Sequence, residues 1–397
     1  MGMWKPIILS LLITVTFISL AGVSSGARST SFGNTNNGPS NGETERLPEV
    51  SPARLARLRH GINLSHWFSQ SPNRDYSQVH LQTHTTAQDI ALIEKMGFDH
   101  VRFPIEPAPL FNPTDPSVLN AEYLRHLDDA LDMILAHHLA VIIDIHPSDD
   151  FKLKLNTDDR YVEAFAKFWR SLAQHLAVRD PERVFLEVLN EPTVEDGYRW
   201  AGIQTKLIAG IRAVAPHHTI IATGHRWSGL SELLFLEPMA DPNVIYNFHF
   251  YEPMQFTHQG ATWAGPFLPF YKNVPYPSRP EAVAEILDKI SDEPARLHLM
   301  DYGEERWDAS RIETEIAMAD AWAQKHHVHL TCNEFGVYRK FAPAPDRAAW
   351  LHDVRVALEK HGIGWTMWDY AGGFAVVDKH DNRAVPDAEI VTALGLH

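Results

Sequence analysis

Short apolar runs recur along the chain, and between them lie segments in which apolar residues return every three or four positions. The runs are "RHGINL" (59–64), "FDHVRFP" (98–104), "LAVIIDI" (139–145), "VFLEVLN" (184–190), "HTIIATG" (218–224), "NVIYNFHF" (243–250), "HVHLTCN" (327–333) and "GIGWTMW" (362–368). Each is brief, β-branched or aromatic in character and bounded by polar or turn-forming residues, the pattern of a buried strand. The intervening "TTAQDIALIEKMG" predicts a helix with Thr85 or Thr86 at its start and Gly97 at its end. "AEYLRHLDDALDMILAHH", "YVEAFAKFWRSLAQHLAV", "RAAWLHDVRVALEKHG" and the late "PDAEIVTAL" predict further helices. Strands alternating with helices pair in parallel, and eight of them predict an α/β fold, a (β/α)8 TIM barrel in one domain over residues 51–397. A doubly wound open sheet is the alternative, but no glycine-rich phosphate loop follows the first run. The long interval 250–327, with "EPMQFTHQGATWAGPFLPF", reads as a large ordered loop beside the barrel mouth.

Ahead of the barrel, Lys5 precedes an apolar run from Pro6 to Val23 and then the small residues SSGA, which predicts a secretory signal peptide over 1–27 and export to the periplasm or medium. A retained anchor is the rival reading, since the run approaches the ~18 residues a membrane span needs; after cleavage no stable membrane association is expected. Residues 28–50, rich in Ser, Asn, Gly and Thr, predict a flexible tether. The formal charge of -15, with no basic run, argues against a nucleic-acid partner and for a neutral or weakly charged substrate. The single cysteine, Cys332, excludes an intrachain disulfide and sits in an apolar run as a small buried residue. Too little chain follows the eighth run for a separate binding module, and a monomer is expected.

In a barrel of this kind sites gather at the C-terminal ends of the strands. The runs end on Asn63 and His66, Arg102, His146, Asn190 with Glu191, His225, His249 with Tyr251, Asn333 with Glu334, and Trp368 with Asp369. Two runs, the fourth and seventh, close on the same Asn-Glu pair. Carboxylates facing each other across a cleft are what glycosidic bond cleavage requires: one protonates the leaving oxygen while the other attacks the sugar or activates water. Arg102 is a candidate to keep Glu334 ionised, and Glu187 is its competing partner, because two-residue alternation puts Glu187, Leu189 and Glu191 on one face. His146 and His249 admit a second reading as metal ligands, yet the first strand has no His-x-His pair and the chain no HExxH. No metal and no cofactor are expected. Trp368 suits a sugar platform, which Trp67, Trp227 and Trp263 are candidates to extend.

The motifs "HGINLSHWF", "MGFDHVRFP", "IIDIHP", "FLEVLNEP", "NFHFYEP", "LTCNEFG" and "GIGWTMWDY", in this order over nearly all of residues 58–370, resemble glycoside hydrolase family 5, the cellulase-type retaining enzymes. The resemblance implies Glu191 as acid/base, Glu334 as nucleophile and retention of configuration. It implies that Arg102, His146, Asn190, His249, Tyr251 and Trp368 line the catalytic centre, with Asn190 on the sugar 2-hydroxyl and Tyr251 donating to Glu334. "FTHQGATW" is similar to loops of bacterial members that act on β-1,4-glucans and sometimes mannans. The expected activity is that of a secreted endo-β-1,4-glucanase on a β-glucan; an endo-β-mannanase on the same frame and a non-catalytic carbohydrate-binding protein are the alternatives.

Overall fold

All eight expected strands are present in the computed structural model, which describes residues 49–380 and 383–397. They are β1 (His60–Asn63), β2 (His100–Ile105), β3 (Ala140–Ile145), β4 (Val184–Glu187), β5 (Ile220–Thr223), β6 (Val244–Phe250), β7 (His329–Phe335) and β8 (Gly364–Met367). Each pairs in parallel with the next and β8 returns to β1, so the sheet closes into a barrel. The expected export signal and most of the expected tether lie outside the described residues. The tether reading extends one residue too far: Val50 is buried against Leu55 and Leu58 at the N-terminal mouth of the barrel.

Alternation along the strands sorts the side chains. Val141, Ile143 and Ile145 of β3, with Val184 and Leu186 of β4, face the helices in the main core, while Ala140, Ile142, Phe185, Ile221 and Ile245 fill the barrel interior. Two residues beyond Ile142, Phe185 and Ile245 stand Asp144, Glu187 and Asn247, joined by Arg102 from β2 and Asn333 from β7, each with 0% exposure. A hydrophobic floor therefore supports a fully buried polar layer, which supports the strand ends above it.

The helices hold those ends in place. Thr86 rather than Thr85 caps Ala87–Lys95, with Asp89 closing the capping box, and Gly97 follows at φ 95°. Helix Asp159–Leu176 buries Phe165, Phe168, Trp169 and Leu172, and the Trp169 indole N–H donates to Val188 O at 2.8 Å, fixing the chain just ahead of Asn190. Helix Gly197–Arg212 does the same for β5, with the Trp200 N–H on Thr223 O at 2.8 Å.

Two segments differ from expectation. The interval after β6 is largely helical, with Met254–Thr257, Pro280–Leu287 and Glu293–Glu305 ahead of Ala309–His326. Pro280 and Pro294 each occupy a first turn, where a missing N–H costs nothing, and Asp292 accepts from Ala295 N at 2.9 Å. Beyond β8, Val377–His380 and Arg383–Pro386 pair as an antiparallel hairpin, whose four-residue strands with mixed burial carry almost no periodic signal.

Candidate active site

Six of the eight strands bring candidate side chains together, in the buried layer and just above it. Arg102 is on β2, His146 follows β3, Asn190 and Glu191 follow β4, His249 is on β6 with Tyr251 just after it, Glu334 is on β7, and Trp368 follows β8. A register shift between Phe248 and His249 sets His249 directly opposite Glu334. The simple alternation expected for β4 stops at Glu187. Leu189 turns out into the main core, and Glu191 reaches the mouth through a positive φ of 41° before Pro192. Glu187 and Glu191 thus occupy different levels: the first is buried beside Arg102, and the second opens to the cleft with 24% of its side chain exposed.

Arg102 organises the lower level. Its Nε donates to Glu187 Oε2 at 2.9 Å and its Nη2 to Glu187 Oε1 at 2.8 Å. Nη2 also lies 2.9 Å from Asn190 Oδ1 and 2.9 Å from Asp144 Oδ2. Nη1 donates to Glu334 Oε1 at 2.6 Å and to Asn63 Oδ1 at 3.0 Å. The two partners that the sequence set in competition, Glu187 and Glu334, are therefore held at once. Burial alone would pull the guanidinium down, but Asp144, Glu187 and Glu334 together keep it well above its ordinary value. Burial raises Asp144 to about 6 and raises Glu187 as well, against the attraction of Arg102.

Above this, Glu334 is clamped on both oxygens, since Tyr251 donates to Oε2 at 2.9 Å. Burial, reinforced by Glu334, lifts the Tyr251 phenol well above its usual range, so it remains a donor. His249 Nδ1 lies 2.9 Å from Glu191 Oε1 and 3.6 Å from Glu334 Oε2; burial lowers this imidazole to about 4 and keeps it neutral. His146, lowered to about 3 by burial, stacks on Trp368 with centroids 5.5 Å apart. One oxygen each of Glu191 and Glu334 and the His249 nitrogen fall within 4.8 Å of one another.

These three groups are close enough to be considered as metal ligands. Ligand atoms around a zinc ion with bonds of 2.0–2.2 Å stand about 3.3 Å or more apart, whereas His249 and Glu191 meet at the 2.9 Å of a hydrogen bond. Glu334 already accepts from two donors. Both nitrogens of His146 are also engaged, by Asp144 on one side and by the amides of Gln70 and Asn190 on the other. The donor set suits proton handling between two carboxylates of unlike surroundings.

The tryptophans divide. Trp67 is a correction to the expected sugar platform: it is 1% exposed, its ring packs against Phe68 and Phe103, and its N–H donates to Leu81 O at 2.7 Å. It is core, because β1 leads straight into a buried turn. Trp227 and Trp263 are 53% and 61% exposed. Trp227 N donates to Pro192 O at 3.1 Å, beside Glu191. Trp263 meets Tyr338 edge to face, and Tyr338 in turn packs on Phe374, which contacts Tyr251. Sequence reasoning passed over Asp144 and Gln70. The signal for Asp144 was the spacing in "DIH", which puts it on the interior row below His146; Gln70 had none.

Comparison with known proteins bears on the same region. Endoglucanase C of Acetivibrio thermocellus is 28% identical over 322 residues, 80% of this chain and 92% of its own length. Cellodextrinase A of Ruminococcus flavefaciens is 29% identical over 311 residues, 76% of this chain and 82% of its own. The crystal structure of endoglucanase Cel5A from Thermotoga maritima superposes with a TM-score of 0.69 at 26% identity, covering 87% of this chain and 100% of that one. That enzyme has also been crystallised with cellobiose and with mannotriose. Residues 63–373, spanning β1 to beyond β8, match the family model for cellulase, and the chain belongs to glycosyl hydrolase family 5.

Proposed function

We propose that this glycoside hydrolase is a retaining endo-β-1,4-glucanase, exported by its N-terminal signal, with Glu191 as acid/base and Glu334 as nucleophile. The observation that carries the reading is the approach of the two carboxylates: one oxygen of each falls within 4.8 Å of the other, in keeping with the roughly 5 Å between the carboxyl groups of retaining enzymes and short of the 6.5–9.5 Å that leave room for a water. Glu334, ionised under Arg102 and Tyr251, attacks the anomeric carbon as Glu191 passes its proton to the departing glycosidic oxygen. The C–O bond to the leaving chain breaks and an ester to Glu334 forms. Esterification removes the Glu334 charge, Glu191 then takes a proton from water, and the resulting hydroxide displaces Glu334 to release the sugar. Asn190 holds the 2-hydroxyl, and Trp368 gives the ring a flat apolar face.

The similarity to endoglucanases supports a glucan substrate. A mannan is the second reading, favoured by the mannotriose complex of the Thermotoga enzyme. Reducing-sugar release from carboxymethyl cellulose, barley β-glucan and galactomannan, with Glu334→Ala beside the wild type, tests the proposal. Release from the glucans, lost in the variant, is expected. Preference for galactomannan would overturn the substrate and leave the mechanism. A variant as active as the wild type would remove Glu334 from its role, and sugar binding without turnover would leave a carbohydrate-binding protein.

A further inference from the structure

Asp144 makes no approach to the cleft. It has 0% exposure, it sits on β3 in the buried polar layer, and a single oxygen, Oδ2, meets both Arg102 Nη2 at 2.9 Å and His146 Nδ1 at 3.0 Å. The first contact is an ion pair and the second a hydrogen bond, and the hydrogen bonds that link Arg102, Asn190 and His146 admit only one direction. Arg102 has nothing but donors, so the Asn190 atom facing it at 2.9 Å is the amide oxygen. The Asn190 atom facing His146 Nε2 at 3.2 Å is then the NH2 group, and Gln70 presents its own NH2 to the same nitrogen at 3.0 Å. His146 Nε2 must accept, so the ring proton is on Nδ1. A proton on Nδ1 in a buried ring needs an acceptor, and Asp144 Oδ2 is the one in place.

We propose that Asp144 is a positioning residue for the reaction: by holding the proton of His146 on Nδ1, it orients the Asn190 amide and leaves that amide's second N–H for the sugar 2-hydroxyl. The inference rests on the reading of Asn190 given above. Asp144 acts through the position of its acceptor oxygen, two side chains away from the substrate, and the charge of Arg102 remains balanced by Glu187 and Glu334 without it. Without an acceptor at Nδ1, the imidazole proton moves to Nε2, where it faces two amide NH2 groups. Asn190 then has to turn, which strips Arg102 of its oxygen and withdraws the donor from the sugar.

Two substitutions in the full chain separate this role from a merely structural one. Asp144→Ala removes the acceptor; Asp144→Asn removes the charge but can keep an oxygen at the same point. On an aryl cellobioside, D144A is expected to lower kcat by about 10- to 100-fold with KM little changed, and D144N to recover most of that loss. On the matching substrate that lacks the 2-hydroxyl, the gap between D144A and wild type should shrink to about threefold or less. Nitrogen-15 spectra of histidine-labelled protein, with the His146 signals identified by their absence in His146→Gln, should show the Nδ1–H form in wild type and D144N and its loss in D144A. The proposal is overturned if D144N loses the Nδ1–H form, which can be read even if D144A does not fold, or if D144A keeps both that form and its kcat. Equal losses in the two variants would assign the effect to charge and likewise overturn it. Absence of hydrolysis by the wild type would defeat the functional reading, while the nitrogen spectra would still decide whether Asp144 sets the His146 proton.

Discussion

Two layers inside one barrel are built to opposite rules. In the lower one Ala140, Ile142, Phe185, Ile221 and Ile245 interdigitate as plain hydrophobic packing. One step up, Asp144 on β3 and Glu187 on β4, joined by Arg102 from β2 and Asn333 from β7, are equally inaccessible but charged or polar. Burying ions is costly unless each is paired, and here Arg102 donates to Glu187, Asn190, Glu334 and Asn63 and forms an ion pair with Asp144, while Asn333 donates to Glu187 Oε2 at 2.7 Å; Asp144 Oδ1 and Asn333 Oδ1 are left without a partner. A hydrophobic layer would stabilise the barrel as well or better. What the ionic layer adds is a fixed, dry setting in which Glu334 is held on both oxygens by Arg102 and Tyr251 and Glu191, one level higher, does not share that clamp.

The contrast breaks most visibly when one residue is removed from each layer. Phe185→Ala is expected to cost about 3–5 kcal/mol of stability through the cavity it leaves, with kcat of the folded enzyme nearly unchanged. Arg102→Met is expected to cost a comparable ~3–5 kcal/mol by stranding buried carboxylates, and in addition to lower kcat on the order of 10^3-fold. Denaturant unfolding beside initial rates on a soluble glucan checks both; equal kinetic losses in the two variants would show that the layers are not distinct in function.

Acid should act on the polar interior as a whole. His84, His218, His249 and His258 are lowered to about 4 and His146 to about 3, all chiefly by burial. Between about 4 and the unfolded value near 6.5 the unfolded chain binds these protons and the folded one does not, so their contribution is complete above 6.5 and is lost as pH falls. Asp144, raised to about 6, acts in reverse: its contribution is present below its unfolded value near 3.8 and is lost as pH rises through 6. Glu106, Glu187, Glu252 and Asp369, raised by burial, add to the Asp144 side. Five histidines moved this far outweigh it, and Tm is expected to drop by roughly 5 °C or more from pH 6.5 to 4.5. A flat or rising Tm over that interval would contradict the neutral, buried assignment of these rings.

The smallest effect distinguishes the two kinds of tryptophan. Trp227→Ala is expected to raise KM for a glucan about fivefold through loss of a stacking face, whereas Trp67→Phe should leave KM alone and lower stability by about 1 kcal/mol through the lost bond to Leu81. A KM effect at Trp67 would return it to the cleft.

Much of this was legible before any coordinates. Eight apolar runs bounded by turn residues become eight strands because a parallel barrel buries both faces, so the signal is continuous rather than alternating. The candidate site is legible because barrel chemistry collects at strand ends, and the repeated Asn-Glu pair marks two of them. What stayed hidden depended on register and packing. Asp144 is unremarkable in "IIDIHP" until pairing with β2 and β4 brings it to Arg102. Trp67 and Trp227 look alike in sequence, and only the packing of Phe68 and Phe103 tells core from cleft. Helices Pro280–Leu287 and Glu293–Glu305 were read as loop because the aromatic and glycine-rich stretch before them dominates the interval.

The most direct test of the account is the anomeric form of the first product. Proton NMR, recorded during the opening turnovers on a cello-oligosaccharide before mutarotation, should show the β-anomer accumulating first, as two displacements at one carbon require. First appearance of the α-anomer would mean a single displacement by water, and the close approach of Glu191 and Glu334 would then need another explanation.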